Sequence, residues 1–528
     1  MMEADLVLLD CNVLTMNLSQ PQAEAIAIKE DKIFKVGTNE EISRVIGENT
    51  KVVELKNGET VLPGLIDTHV HIADFGRFLT WLNLKGAKSI KEMKNIIKKR
   101  VQKTPQGKWI LGQGWNQTIL TEKRIPNVHD LNDAAPDHPV VLYHQSGCIC
   151  AVNSKALEVA GITKETTAPT GGSIQHDTQT GELTGVLREN AMNLIWKIIP
   201  EPTEEDVSAA ISLACEKIIE AGITSVHWIV SSYTEIQQIQ KLHEENRLPL
   251  RVYVIFPANI QDRIIDLLLH KDLEDEKLQI GGVKIFADGF LATRTAALKE
   301  PYSDDQTTKG ELLDSQEKLG ALVTKLHNSN LHLVIHAMGD KAIDVVLRIL
   351  EKILKESPRK NHRYRIEQAS VLNKKLIQRL KKMKVIVAVQ PCTVISEFST
   401  WSATDRLGPK RARWLYPLKT LFKEGIRVSG GSDCPMEQIS PLAGIQAAVN
   451  REVFPEERIT PDEALRMYTV NAAYSSFDEN IKGSIEEGKL ADLTVVSRDP
   501  RTAPPNQIEN IEVKMTIVDG KIVYLKSS

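Results

Sequence analysis

Apolar and polar positions change rhythm twice along the chain. In the first sixty residues, ADLVLLDCNVLTM, AEAIAIKEDKIFKVG and TKVVELKNGETVLPG mix β-branched residues with Gly, Asn or Asp breaks, the texture of short strands joined by turns. The last fifty residues return to it. GKLADLTVVSRDP and VKMTIVDGKIVYLK are strand-like, and Asp519-Gly520 marks a hairpin. Strand-rich ends flanking a long middle predict one small β-sandwich made from both termini, residues 1–62 and 480–528.

In the middle, apolar runs of strand length alternate with stretches of helical apolar spacing. PTEEDVSAAISLACEKIIEAG reads as a helix ending at Gly222, followed by the strand ITSVHWIV, the helix YTEIQQIQKLHEENR and the strand LRVYVIF. The alternation continues through VKIFAD, HLVIHA, RYRIEQ, VIVAVQ and RVSGGSD. Strands separated by helices of this length imply βαβ units in a parallel sheet. So many units favour closure, and the predicted fold class is α/β, a (β/α)8 TIM barrel over 63–479. Residues from about 78 to 200 break the alternation with GQGWNQ, APDHP and APTGGS and read as an inserted subdomain.

Composition changes this picture little. A net charge of -3 over 528 residues gives no basic surface of the kind a nucleic-acid partner needs. No apolar run approaches the ~18 residues that span a bilayer. MMEADLVLLD lacks the basic and apolar regions of a secretory signal. The six cysteines form no CxxC pair and read as reduced thiols in a cytoplasmic protein. The expected partner is a small-molecule substrate, with no nucleic acid and no membrane; a homo-oligomer stays open.

The chemistry begins at ETVLPGLIDTHVHIAD. Side chains two apart on a strand share a face, so His69 and His71 project together from the strand's C-terminal end, where barrel active sites sit. Paired neutral imidazoles suit Zn, Fe or Mn; the alternative is two polar strand-end histidines. GGVKIFADGF places Lys284 inside an apolar strand, where burial lowers an amine's pKa. A neutral amine can take up carbon dioxide as a carbamate ligand; the alternative is a pair with Asp288. LHLVIHAMGD carries His336 at a strand end, with His332 about 13 Å further back as core filler. RVSGGSDCPM offers Asp433 as metal ligand and proton acceptor, or as a helix N-cap before Pro435.

These residues run in the order His-x-His, Lys, His, Asp on one βα array, and with that pattern the chain resembles the amidohydrolase superfamily. More narrowly, it resembles the YtcJ-like, amidohydrolase-3 branch that includes N-substituted formamide deformylases. LPGLIDTHVHI, VKIFADGFLATRTAAL with EPYSD, VIHAMGDKAID, GSDCPM and ITPDEALRMYTVNAAYSSFDENIKGSIEEGKLADLTVV carry the likeness over nearly the whole chain. The resemblance implies hydrolysis of a C–N bond in an amide-like small molecule through metal-activated water. It implies a divalent metal, zinc for preference, held by His69, His71, Lys284, His336 and Asp433. It further implies that Asp433 moves the proton and that Lys284 is carboxylated.

The chain departs from the family pattern twice. Gln368 stands where the family carries a histidine ligand, in Ile366-Glu367-Gln368-Ala369. Glutamine is a weak ligand for such metals, so one tight metal is expected, with the second site weak or absent. Cys148 stands where a histidine is common, as a reactive thiol or a space-filling one. Substrate contacts are expected from Gln368, His227, Arg294 and Trp115. For three of these there is a plainer alternative: a polar rim residue for His227, a pair with Asp288 for Arg294, a structural ring for Trp115. Two rival functions share the site: a deaminase or other hydrolase, and a catalytically impaired binding or regulatory homologue.

Overall fold

Eight near-continuous apolar runs form eight parallel strands buried on both faces, as a helix-covered sheet requires. They are β1 (Leu65–Val70), β2 (Ile223–Ile229), β3 (Arg251–Pro257), β4 (Leu278–Phe286), β5 (His332–Ala337), β6 (Arg365–Gln368), β7 (Ile386–Val389) and β8 (Val428–Gly430). Each pairs with its neighbours in sequence order, giving the order β8-β7-β6-β5-β4-β3-β2-β1. The computed structural model describes all residues except 1, 57, 146–148, 170, 201–202, 269–274, 400–401 and 528. The reading of Cys148 therefore lies outside the described residues.

The seam between β1 and β8 is closed mostly beyond the strands. Thr68 Oγ1 donates to Gly430 O at 3.0 Å. Past the end of β8, Asp433 N donates to His69 O at 2.7 Å and His71 N to Cys434 O at 3.0 Å. The Asp433 turn is thus stitched to the His-x-His strand by the backbone, and the fold is a TIM barrel with additional sheets. The stitch needs a bare backbone at Gly431, where an added Cβ would lie 2.6 Å from His69 N.

Helices between the strands begin where side chains satisfy the free N–H groups of the first turn. Ser232 caps Tyr233–Glu244 by accepting from Glu235 N, and Glu235 in turn accepts from Trp228 Nε1 on β2 at 2.6 Å. The helix read to end at Gly222 spans Glu204–Glu220, and Gly222 adopts a φ of +82° that favours glycine.

Both ends of the chain contribute to two further sheets. A four-stranded sheet holds Lys32–Gly37, Ala25–Lys29, Leu6–Leu9 and Lys51–Glu54; a six-stranded one joins Lys521–Leu525, Val513–Val518 and Leu493–Val496 to Thr60–Pro63, Asn12–Leu14 and Gln22–Ala23. Leu6, Leu8, Ile26 and Ile28 from the first pack with Val61, Leu493, Val495 and Ile517 from the second in one buried core. Arg251 ties this layer to the barrel. Its guanidinium at the start of β3 pairs with Asp492, both nearly wholly buried, and with Asp519. Asp492→Ala is expected to destabilise the fold by about 3 kcal/mol, because it strips a buried guanidinium of its best partner. An unchanged urea midpoint would show that the clamp contributes nothing.

Residues Met1–Ala73 and Ala214–Ser528 form one compact unit and Asp74–Leu213 another. The second has its own six-stranded sheet, ordered Gly172–His176, Leu183–Glu189, Ile149–Val152, Val140–His144, Ile110–Trp115 and Leu82–Asn83. Its core packs Ile90, Met93 and Ile97 of one helix against Trp115, Leu131 and Leu142. Among the described residues no helix is long and apolar enough to cross a membrane.

Candidate metal centre

Three of the expected ligands meet at the β1–β8 seam. The donor atoms of His69, His71 and Asp433 lie within 4.8 Å of one another. Asp433 Oδ1 is 3.4 Å from His69 Nε2 and 3.5 Å from His71 Nε2. Those gaps lie at the long limit of hydrogen bonding. They match the ~3.4 Å between two ligand atoms that each sit about 2.1 Å from a tetrahedral ion. The donor set, two imidazoles and a carboxylate, therefore fits a divalent metal. The His69 side chain is 4% exposed and that of His71 29%, so the cluster is closed behind and open in front.

The back of the cluster is held by residues that the sequence reading passed over. His69 Nδ1 bonds a Glu367 carboxylate oxygen, which fixes the tautomer that leaves Nε2 free to ligate. Gln390 approaches the same nitrogen at 3.0 Å. Arg365 Nε donates to Glu367 Oε1 at 2.9 Å, and its other nitrogens reach His227 Nδ1 at 2.7 Å and Thr68 O at 2.9 Å. Burial alone would raise the Glu367 carboxyl, but Arg365 and His69 outweigh it and hold the group well below the carboxylate range. Asp67 accepts from His69 N at 3.0 Å and Ser432 N at 2.9 Å, joining the two halves of the site. Burial pushes Asp67 up to about 6.

Burial opposes ionisation of Asp433 too, yet His69, His71 and Lys284 keep it below its ordinary value. Asp433 is not a helix N-cap; it sits in a left-handed turn at φ +59°. Lys284 is 4% exposed and makes no ion pair within 4 Å among the described residues. Burial lowers its ammonium against the pull of Glu367 and Asp433. The alternative pair with Asp288 does not form, because Asp288 accepts backbone N–H groups from Met338, Gly339 and Ala297 instead.

His336 stands beside the three-residue cluster without joining it. Its Nε2 faces Gly289 O at 3.3 Å, and its ring packs against Phe286 and Phe290. Burial and Lys284 lower its pKa to about 3, so it is neutral. His332 is core filler, bonded to Tyr253 Oη and Arg363 O.

The expected substrate contacts separate. His227 is 1% exposed and bound to Arg365 inside the barrel, so neither a rim position nor a direct substrate contact describes its place. Arg294 pairs with Asp304 at 2.7 Å, not with Asp288. Trp115 is wholly buried in the Asp74–Leu213 unit and donates to Leu142 O at 2.9 Å, the placement of a structural ring. Gln368 is 3% exposed and donates to Asp433 Oδ2 at 3.4 Å.

Comparison with known proteins follows the same line. The profile of the Amidohydrolase family matches residues 51–524. The chain belongs to that family. It is 34% identical over 531 residues to the Bacillus subtilis protein YtcJ, covering 98% of each. It is 28% identical over 544 residues to an N-substituted formamide deformylase of Arthrobacter pascens, again covering 98% of each. An uncharacterized metal-dependent hydrolase of Pyrococcus furiosus superposes with a TM-score of 0.77 at 30% identity, over 95% of this chain and 99% of that one. The imidazole pair and the facing aspartate lie at the C-terminal end of the barrel strands, the face that carries active sites in TIM-barrel enzymes.

Proposed function

We propose that this amidohydrolase cleaves a C–N bond in an amide-like small molecule with water activated by one divalent ion. The ion is zinc, which two imidazoles and a carboxylate suit, held by His69, His71 and Asp433. The observation that carries this reading is the 3.4 and 3.5 Å spacing of Asp433 Oδ1 from the two imidazole nitrogens, with His69 oriented from behind by Glu367. Similarity to an N-substituted formamide deformylase and to an uncharacterized metal-dependent hydrolase supports it.

Bound there, such an ion supplies Lewis acidity, lowering the pKa of water toward ~7 and polarising a carbonyl. The rest is done by the chain. His69, whose pKa burial and Lys284 lower, enters as a neutral imidazole that need lose no proton to ligate. Asp433 would hold the ion through Oδ1, while its Oδ2 takes a proton from the attacking water and delivers it to the leaving nitrogen. Lys284, its pKa lowered by burial and with no ion pair among the described residues, is the amine that takes up carbon dioxide with loss of a proton, and His336 flanks it. Gln368 offers an amide where a second ion would need an imidazole, so a second tight site does not form. Among the described residues, five buried cysteines free of disulfides suit the cytoplasm.

Metal-stripped and metal-loaded protein should be assayed on a panel of N-formyl and N-acyl compounds, with heterocyclic amines and lactones alongside. Chelation is expected to abolish turnover and zinc to restore it. Turnover confined to the amines or lactones, or unaffected by metal removal, would refute the assignment.

A further inference from the structure

Gln368 ends β6 in an unusual backbone. Its φ is +67° and that of Ala369 is +47°, two consecutive left-handed residues with side chains. Such conformations are costly and persist where surrounding contacts fix them. On a regular strand Gln368 would face away from Glu367. The left-handed turn re-aims it, so Glu367 reaches His69 while Gln368 reaches Asp433.

The amide has one workable orientation. Tyr416 Oη donates to Gln368 Oε1 at 2.9 Å, and Ser370 Oγ donates to Tyr416 Oη at 2.8 Å. Turning the amide over would set its oxygen against the Asp433 carboxylate and its NH2 against a hydroxyl already committed as a donor. Tyr416 is wholly buried, and burial keeps its phenol protonated, hence a donor. Ser370 is wholly buried as well. A one-way chain of donors therefore runs Ser370, Tyr416, Gln368, Asp433.

We infer that Gln368 is neither a ligand nor a substrate contact but a positioning residue: locked by Tyr416 and Ser370, it holds Asp433 Oδ2 away from the ion so that the aspartate ligates through Oδ1 alone. An unrestrained carboxylate beside a divalent ion can swing to chelate it with both oxygens. With Oδ2 held by the Gln368 N–H, one oxygen ligates and the other keeps a lone pair free for a proton. The Gln368 amide, fixed as a donor, also has no lone pair turned toward the histidines.

This inference rests on the metal reading above, and one experiment separates the two. Metal-stripped full-length protein, as wild type, Tyr416→Phe and Gln368→Met, is titrated with cobalt(II). Equilibrium dialysis gives stoichiometry and affinity; the visible d–d spectrum at saturation gives ligand geometry. Wild type is expected to take up one cobalt per chain. Both variants should change its affinity by 10–100-fold, the range typical for groups that orient ligands. Their saturated spectra should shift together toward a higher coordination number as Oδ2 joins the ion. Ser370→Ala, which removes only the far end of the chain of donors, should shift the spectrum in the same direction by less and guards against a variant that fails to fold. Variants with wild-type affinity and spectrum would overturn the positioning role. A wild type that takes up no cobalt would overturn the metal reading itself.

Discussion

Asp433→Ala is expected to lower kcat/KM by about 10⁴-fold on whichever panel compound the wild type turns over. The substitution removes the group at the centre of the cluster, 3.4 Å from His69 Nε2 and 3.5 Å from His71 Nε2. General acid–base work alone accounts for about 10²–10⁴-fold in rate, and the lost ligand weakens the ion as well. Asp433→Asn separates the two contributions. It keeps an oxygen able to ligate and the shape of the turn, but it cannot take a proton. Its kcat should therefore fall by ~10²–10³-fold while bound metal per chain drops far less than in Asp433→Ala. Either variant within tenfold of wild type would remove Asp433 from the mechanism.

Glu367→Gln is expected to damage stability and metal binding together. Arg365 and Glu367 are both fully buried, and the carboxylate also holds His69 Nδ1. Removing one partner of a buried ion pair costs about 3–5 kcal/mol, because the remaining charge is left uncompensated. Losing the carboxylate behind a ligating imidazole costs a further 10–100-fold in metal affinity. The double variant Arg365→Met/Glu367→Leu distinguishes these effects. With both charges gone, much of the stability should return, since apolar replacements of buried pairs are often tolerated. The metal affinity should stay low, because His69 has lost its acceptor. Chemical denaturation of the metal-free proteins and zinc competition assays read the two quantities separately. A double variant with wild-type zinc affinity would show that the pair serves the fold alone.

The chain's organisation and part of the site are legible in its sequence for a common reason. In a parallel strand the side-chain period is two and the chemistry sits at the C-terminal end. Period two suffices for Asp67, His69 and His71, which share a face, and strand-end position suffices for Asp433. Asp67 could have been found by the same parity, and only its lack of obvious chemistry hid it. Glu367 and Arg365 were masked differently. They share a face on a short strand whose neighbour Gln368 drew notice as a substituted ligand, and a single sequence does not show which face of β6 lines the barrel. Gln368 defeats the strand rule altogether, because its left-handed φ turns it toward the same centre as Glu367. His336 sits on the expected strand end, yet its rotamer turns Nε2 to Gly289 O, with the Phe286 and Phe290 rings packed on it, a placement strand position does not specify. Arg294 and Trp115 show the reverse limit. Side-chain type suggested recognition, but the partners that occupy them, Asp304 and Leu142 O, lie in segments whose proximity only the fold reveals.

The most direct test of the central claim is anomalous X-ray diffraction at the zinc edge from crystals of the zinc-loaded protein. One strong peak per chain is expected, about 2.0–2.2 Å from His69 Nε2, His71 Nε2 and Asp433 Oδ1. No peak between those three atoms, or a zinc ion held tightly elsewhere while they remain bare, would contradict the account.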